Sequence, residues 1–166
     1  MRALSRFFAL LIVIVLSVNT AFSHCQIPCG IYGDYTRIDL LREHISTIEK
    51  GMNQINDLSK DASANMNQLV RWIGNKDNHA DEFTEIVTYY FLSQRIKIAE
   101  PGNANEFEGY QKKVTILHQM MVFSMKCKQT TDLQNVEKLK SLVGQLVDVY
   151  FTPEQKDHLK EHNINH

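Results

Sequence analysis

Ile38, Leu41, Ile45, Ile48, Met52 and Ile55 recur at intervals of three and four, which places all six on one stripe of a single α-helix. No strand can hide both faces of such a pattern, because strands alternate with period two. The same spacing returns along the chain. Met66, Leu69, Val70 and Ile73 predict a second, shorter helix, with a break at Gly74 to Asn78. Phe83, Ile86, Val87, Tyr90 and Phe91 predict a third. Val114, Leu117 and Met121 mark a fourth, widened by Ile116, Met120 and Phe123. Leu133, Val136, Leu139, Val143, Leu146 and Tyr150 mark a fifth, which Pro153 ends. Asp34 or Thr36 is expected to cap the first helix and Asp132 to lie near the start of the last. No alternating segment competes, so the fold class is all-α. Short connections favour an up-and-down bundle over residues 36–151, with a polar tail over 152–166. Met66, Met120, Met121 and Met125 read as gap-filling core. Cys127 reads as a buried, unreactive thiol.

Only one stretch is apolar enough for a membrane, and it opens the chain. Arg2 and Arg6 precede an apolar run from Phe7 to Val18, too short to span a bilayer comfortably. Ala21-Phe22-Ser23 has the small-x-small shape of a cleavage site, so residues 1–23 read as a signal peptide. The other readings are a retained anchor or an internal core helix. Cleavage makes His24 the first residue and places the protein in an exported space: periplasm, exterior or, alternatively, a plastid lumen. The leader takes Arg2 and Arg6 and no acid, leaving 16 basic against 19 acidic side chains. That balance excludes a basic protein built to coat nucleic acid. No stable membrane association is expected after cleavage. Three cysteines are too few for a disulfide scaffold.

Between leader and helices runs a short irregular head, residues 24–35, broken by Pro28, Gly30 and Gly33. It reads His24-Cys25-Gln26-Ile27-Pro28-Cys29-Gly30-Ile31-Tyr32. With His24 first, its α-amine and imidazole are both available. Cys25 adds a thiolate and its own amide, closing five-membered chelate rings. Pro28 bends the chain so that Cys29 can return a second thiolate, and Gly30 allows a close backbone approach. The donor set is planar N2S2 with an axial imidazole. Planar, nitrogen-rich sites suit Ni(II) or Cu(II) better than tetrahedral zinc. Two thiolates and an anionic amide push electron density onto a bound metal, which makes oxidation of Ni(II) accessible.

The run His24-Cys25-x-x-Pro28-Cys29-Gly30-x-Tyr32 resembles the metal hook of nickel-containing superoxide dismutases, and the likeness continues through the helical body. The resemblance implies a four-helix bundle behind an N-terminal hook, a homohexamer, a nickel ion cycling between Ni(II) and Ni(III), and superoxide as substrate. It implies metal binding by His24, Cys25 and Cys29. Tyr32 matches the tyrosine that guards the approach to the metal, and Tyr90 a second tyrosine that hydrogen-bonds the first. Asp39 matches the carboxylate that holds the axial imidazole, provided one residue is missing after Tyr32; family members often carry Glu there. Arg71 and Lys76 are the candidates for a basic partner.

Two other readings use the same residues. An exported nickel or copper carrier would hold metal without turnover. A secreted helical interaction protein would close Cys25 and Cys29 into a disulfide. His158, His162 and His166 recur every four residues, and one helical face could present them to a metal or leave them solvated.

Overall fold

In the computed structural model the described residues are Gly30 and 32–157. Residues 1–31 and 32–166 are separate compact units. The expected signal peptide, the expected metal ligands His24, Cys25 and Cys29, and the tail histidines His158, His162 and His166 lie outside the described residues. Of the first unit only Gly30 is described. Its φ of +80° lies in the left-handed region that side chains with a Cβ rarely adopt.

The second unit is all-α among its described residues. Helix α1 spans Asp34–Leu58 and is followed by a single 3-10 turn, Ser59–Asp61. Helix α2 spans Ala62–Glu85 and runs on into a π-helical segment, Ile86–Arg95. Helix α3 spans Ala104–Gln129 and α4 spans Gln134–Tyr150. Consecutive helices pack side by side and α4 closes the ring against α1, as in an up-and-down four-helix bundle. The six apolar residues of the first stripe are all buried, together with Phe83, Phe91, Leu117, Met120, Leu139, Leu142 and Leu146. Each such side chain contributes about 1.5–3 kcal/mol through removal of its apolar surface from water.

Polar side chains set several helix ends. Asp61 accepts from the Ala64 amide at 3.3 Å and starts α2. Asn103 does the same for α3, accepting from the Glu106 amide at 3.5 Å. Asp132 accepts from the Gln134 amide at 3.0 Å at the start of α4. Helix α1 differs from expectation. Gly33 is its N-cap without a side-chain cap, and Asp34 is already its first helical residue. The carboxylate of Asp34 is drawn away to a neighbouring helix, as described below.

Three further expectations are corrected. There is no break at residues 74–78: the second and third predicted helices are one. The polar run there is tolerated because Lys76, only 2% exposed, finds acceptors across the bundle. Its ammonium donates to Asp77 Oδ1 at 2.7 Å and to the carbonyls of Cys127 and Lys128 at 2.7 and 2.8 Å. Those carbonyls belong to the last turn of α3, which has no intrahelical donors for them. Met66, Val70 and Ile73 are exposed, so only Leu69 of the second stripe enters the core. Met125 is exposed as well, while Met120 is fully buried and Met121 packs at the core's edge. Cys127 is buried and unpaired, and burial pushes its thiol pKa up to about 11.

Candidate active site

The N-terminus of α1, the π-helical end of α2 and the last turn of α4 meet at one carboxylate. Asp34 Oδ1 accepts from the Tyr90 hydroxyl at 2.6 Å and from Arg95 Nε at 2.9 Å. Its Oδ2 accepts from Arg95 Nη2 at 2.6 Å and from the Tyr150 hydroxyl at 2.9 Å. The guanidinium and carboxylate thus form a two-pronged pair, and two phenols fill the remaining acceptor positions. Burial alone would raise the pKa of Asp34. The hydrogen bonds from Arg95, Tyr90 and Tyr150 outweigh it and hold the pKa below the ordinary aspartate value.

The π-helix explains how one helix delivers two of these donors. An α-helix brings residues i and i+4 together, whereas a π-helix joins i and i+5. Ile96 donates its amide to the Phe91 carbonyl at 2.9 Å in this wider register. Tyr90 and Arg95 are five apart and converge on the same carboxylate. At the other side, Tyr35 stacks on Phe151 with ring centroids 5.2 Å apart, tying the start of α1 to the end of α4.

Tyr32 stands at the edge of this cluster and is 43% exposed. Its ring meets Tyr90 edge-on at 6.0 Å between centroids, and the Arg95 guanidinium lies 4.3 Å from its ring centre. Arg37 lies 5.1 Å from the ring centre of Tyr90. The two tyrosines singled out from sequence are therefore together. The hydrogen bond expected between them is not formed, because the Tyr90 hydroxyl goes to Asp34 instead. Tyr90 and Tyr150 give their protons to Asp34, and burial, then that hydrogen bond, raises both phenol pKa values, that of Tyr150 to about 12. Among the described residues no side chain hydrogen-bonds the Tyr32 hydroxyl.

Asp39 lies about 140° around α1 from Asp34, at 3.6 residues per turn. It pairs with Arg42 at 3.1 Å and is partly exposed. Neither of the basic candidates touches the tyrosines. Arg71 is exposed and Lys76 is bound to the end of α3. The cations against the tyrosine pair are Arg95 and Arg37. Sequence reasoning missed Asp34, Arg95 and Tyr150 as members of this cluster. A Tyr-to-Arg spacing of five carries no signal in an α-helical reading.

Beside Arg95 opens a cleft of about 590 Å³. Lys97, Lys113, Asn105 and Tyr110 line it, and Glu106 is the single acid in its lining.

The donor set of the head and the cationic tyrosine cluster suit a nickel ion and an anionic substrate. No curated protein and no solved structure matches the chain. A family model described as nickel-containing superoxide dismutase matches residues 19–154, which takes in the whole head and all four helices. On that match the chain belongs to the nickel-containing superoxide dismutases, oxidoreductases that act on superoxide with nickel as cofactor.

Proposed function

We propose that the chain is exported, trimmed after Ser23, and dismutates superoxide at a mononuclear site held by His24, Cys25 and Cys29. A nickel ion held by these three residues would supply the one-electron Ni(II)/Ni(III) chemistry that dismutation needs. Two superoxides and two protons give one O2 and one H2O2. The protein's share is to bring the anion in, orient it and deliver protons.

The observation that carries this reading is the pairing of an exposed tyrosine with a cation beside the hook in sequence. Tyr32 follows Cys29 by three residues, so the chain limits their separation to about 10 Å. Arg95 covers one face of Tyr32, whose hydroxyl has no hydrogen-bond partner among the described residues. Tyr32 is then the phenol that meets superoxide or orders water for proton transfer. Tyr90 and Tyr150 hold Asp34 and Arg95 in place rather than supplying protons, because their hydroxyl hydrogens point at a carboxylate. Asp39 is assigned to the His24 imidazole. The cleft lined by Arg95, Lys97 and Lys113 draws in an anion despite the negative net charge of the chain, and raised salt should slow the reaction. The exposed stripe of Met66, Val70 and Ile73 on α2 supports assembly of copies into a hexamer. Among the described residues no helix is long and apolar enough to cross a membrane.

The test is turnover of nickel-loaded protein together with intact mass. Cys25→Ser and Cys29→Ser should each abolish turnover with helicity retained, and active protein should begin at His24. Wild-type rates in either variant, or active protein still carrying residues 1–23, would overturn the assignment. A carrier would hold nickel and show no rate above free metal.

A further inference from the structure

About 15 Å along α1 from Asp34, at the helix rise of 1.5 Å per residue, a second polar convergence joins α1 to α2. His44 Nδ1 lies 2.9 Å from His79 Nδ1 and 3.4 Å from Glu82 Oε2. His79 Nδ1 lies 3.7 Å from the same carboxylate oxygen. His44 is 9% exposed, and its partners come from one face of α2, three residues apart.

As it stands, the imidazole pair is one hydrogen bond, with either Nδ1 donating to the other. With both imidazoles neutral, at most one proton lies between the two Nδ1 atoms, and the carboxylate oxygen beside them is another acceptor. With both Nδ1 atoms free of protons, the two imidazoles and the carboxylate offer three ligand atoms within 4.8 Å of one another. A position equidistant from the three atoms is about 2 Å from each, which is the Zn–N and Zn–O bond length. Two imidazoles and one carboxylate are a set that zinc accepts with its fourth position left to water. Glu82 is the exposed member, its side chain 57% accessible, so the point can be reached from solvent.

We propose that His44, His79 and Glu82 form a second metal site, separate from the nickel hook, which takes one divalent cation of the zinc class and clamps α1 to α2. The donors are rigidly presented by two helices, so binding draws on geometry already in place. The ion replaces the single hydrogen bond between the imidazoles with a coordinate bond to each of the three residues, and its role is to stabilise the bundle.

The experiment uses the processed, nickel-loaded protein passed over chelating resin and then equilibrated with ZnCl2. Elemental analysis should find one zinc per chain with nickel content unchanged, and the melting temperature should rise with zinc concentration. Glu82→Gln and His79→Ala should each weaken zinc binding at least ~100-fold, the scale lost when supporting groups of a metal site are removed. Both residues reach the surface, so the variants should keep the helicity and nickel of the parent. Cobalt should give visible absorption bands in the parent that both variants lack. Two results overturn the proposal: no zinc beyond the nickel complement in the parent, which leaves a hydrogen-bonded imidazole pair, or zinc retained by both variants, which places it on the hook or tail. Neither result bears on turnover at the hook.

Discussion

Lys76 and Asp34 each carry a full charge between helices of the same bundle, and their surroundings differ. The Lys76 ammonium has three protons and three acceptors, and its side chain is 3% exposed. Gly51 on α1 passes so close that an added Cβ would lie 3.1 Å from the Cβ of Lys76. No proton of the ammonium is left for a further acceptor. Asp34 is equally well bonded, with four donors, yet its partners extend outward to a half-exposed tyrosine under a guanidinium. A charge with every valence closed inside the fold is a brace. A charge whose network ends in an exposed aromatic ring is where the proposed site would admit its substrate.

Lys76→Met tests the brace and has the largest expected effect on stability. It strands two α3 carbonyls and the carboxylate of Asp77, at a cost of about 3 kcal/mol. Urea unfolding should show that loss, while turnover per folded, nickel-loaded chain stays at the parent value. Lost turnover at unchanged stability would make Lys76 the basic partner of the site and erase the contrast.

Asp34→Asn should lower stability by about 2 kcal/mol, since Arg95 loses its counter-charge in a partly buried setting. It should also slow turnover roughly tenfold by loosening Arg95 over Tyr32. The acid limb supplies a separate check. The folded pKa of Asp34 lies below its unfolded value, so this group's stabilisation is complete above about pH 4 and drains as the pH falls further. The melting temperature of the parent should therefore fall more steeply below pH 4 than that of Asp34→Asn. Equal slopes would mean that the carboxylate contributes nothing specific.

The sequence carried the brace and the site unequally. The stripes of α1 and α4 were legible because apolar periodicity reports burial directly, and Ile38 through Ile55 and Val136 through Leu146 lie where it puts them. The polar run at Gly74 to Asn78 reads as a helix break only because the acceptors that bury Lys76 come from residues some 50 positions later. Resemblance to a motif singled out Tyr32 and Tyr90, whose rings do meet, but not that the Tyr90 hydroxyl goes to Asp34. Asp34 looked like a cap, since an acid before a helix has a local use, and the pull from Arg95 is tertiary. The π register that brings Arg95 alongside Tyr90 has no compositional mark.

Tyr90→Phe sharpens the comparison from inside the site. It removes one of four hydrogen bonds to Asp34 and keeps the ring that meets Tyr32, so about 1 kcal/mol is expected. Because the Tyr90 proton points at Asp34, the pH profile of turnover should keep its shape while the rate falls modestly. A changed profile would make Tyr90 a proton donor and move the substrate's entry inward from Tyr32.

Asp39→Asn should have the smallest effect on stability, below about 0.5 kcal/mol, because its pair with Arg42 is exposed on both sides. That makes it the cleanest probe of chemistry. With folding untouched, any change in the nickel spectrum or in turnover must come through the imidazole that Asp39 is proposed to hold. The expected result is an altered spectrum and reduced turnover at full nickel content. Parent spectrum and rate would return Asp39 to the surface, leaving Asp34 as the carboxylate built into the described cluster.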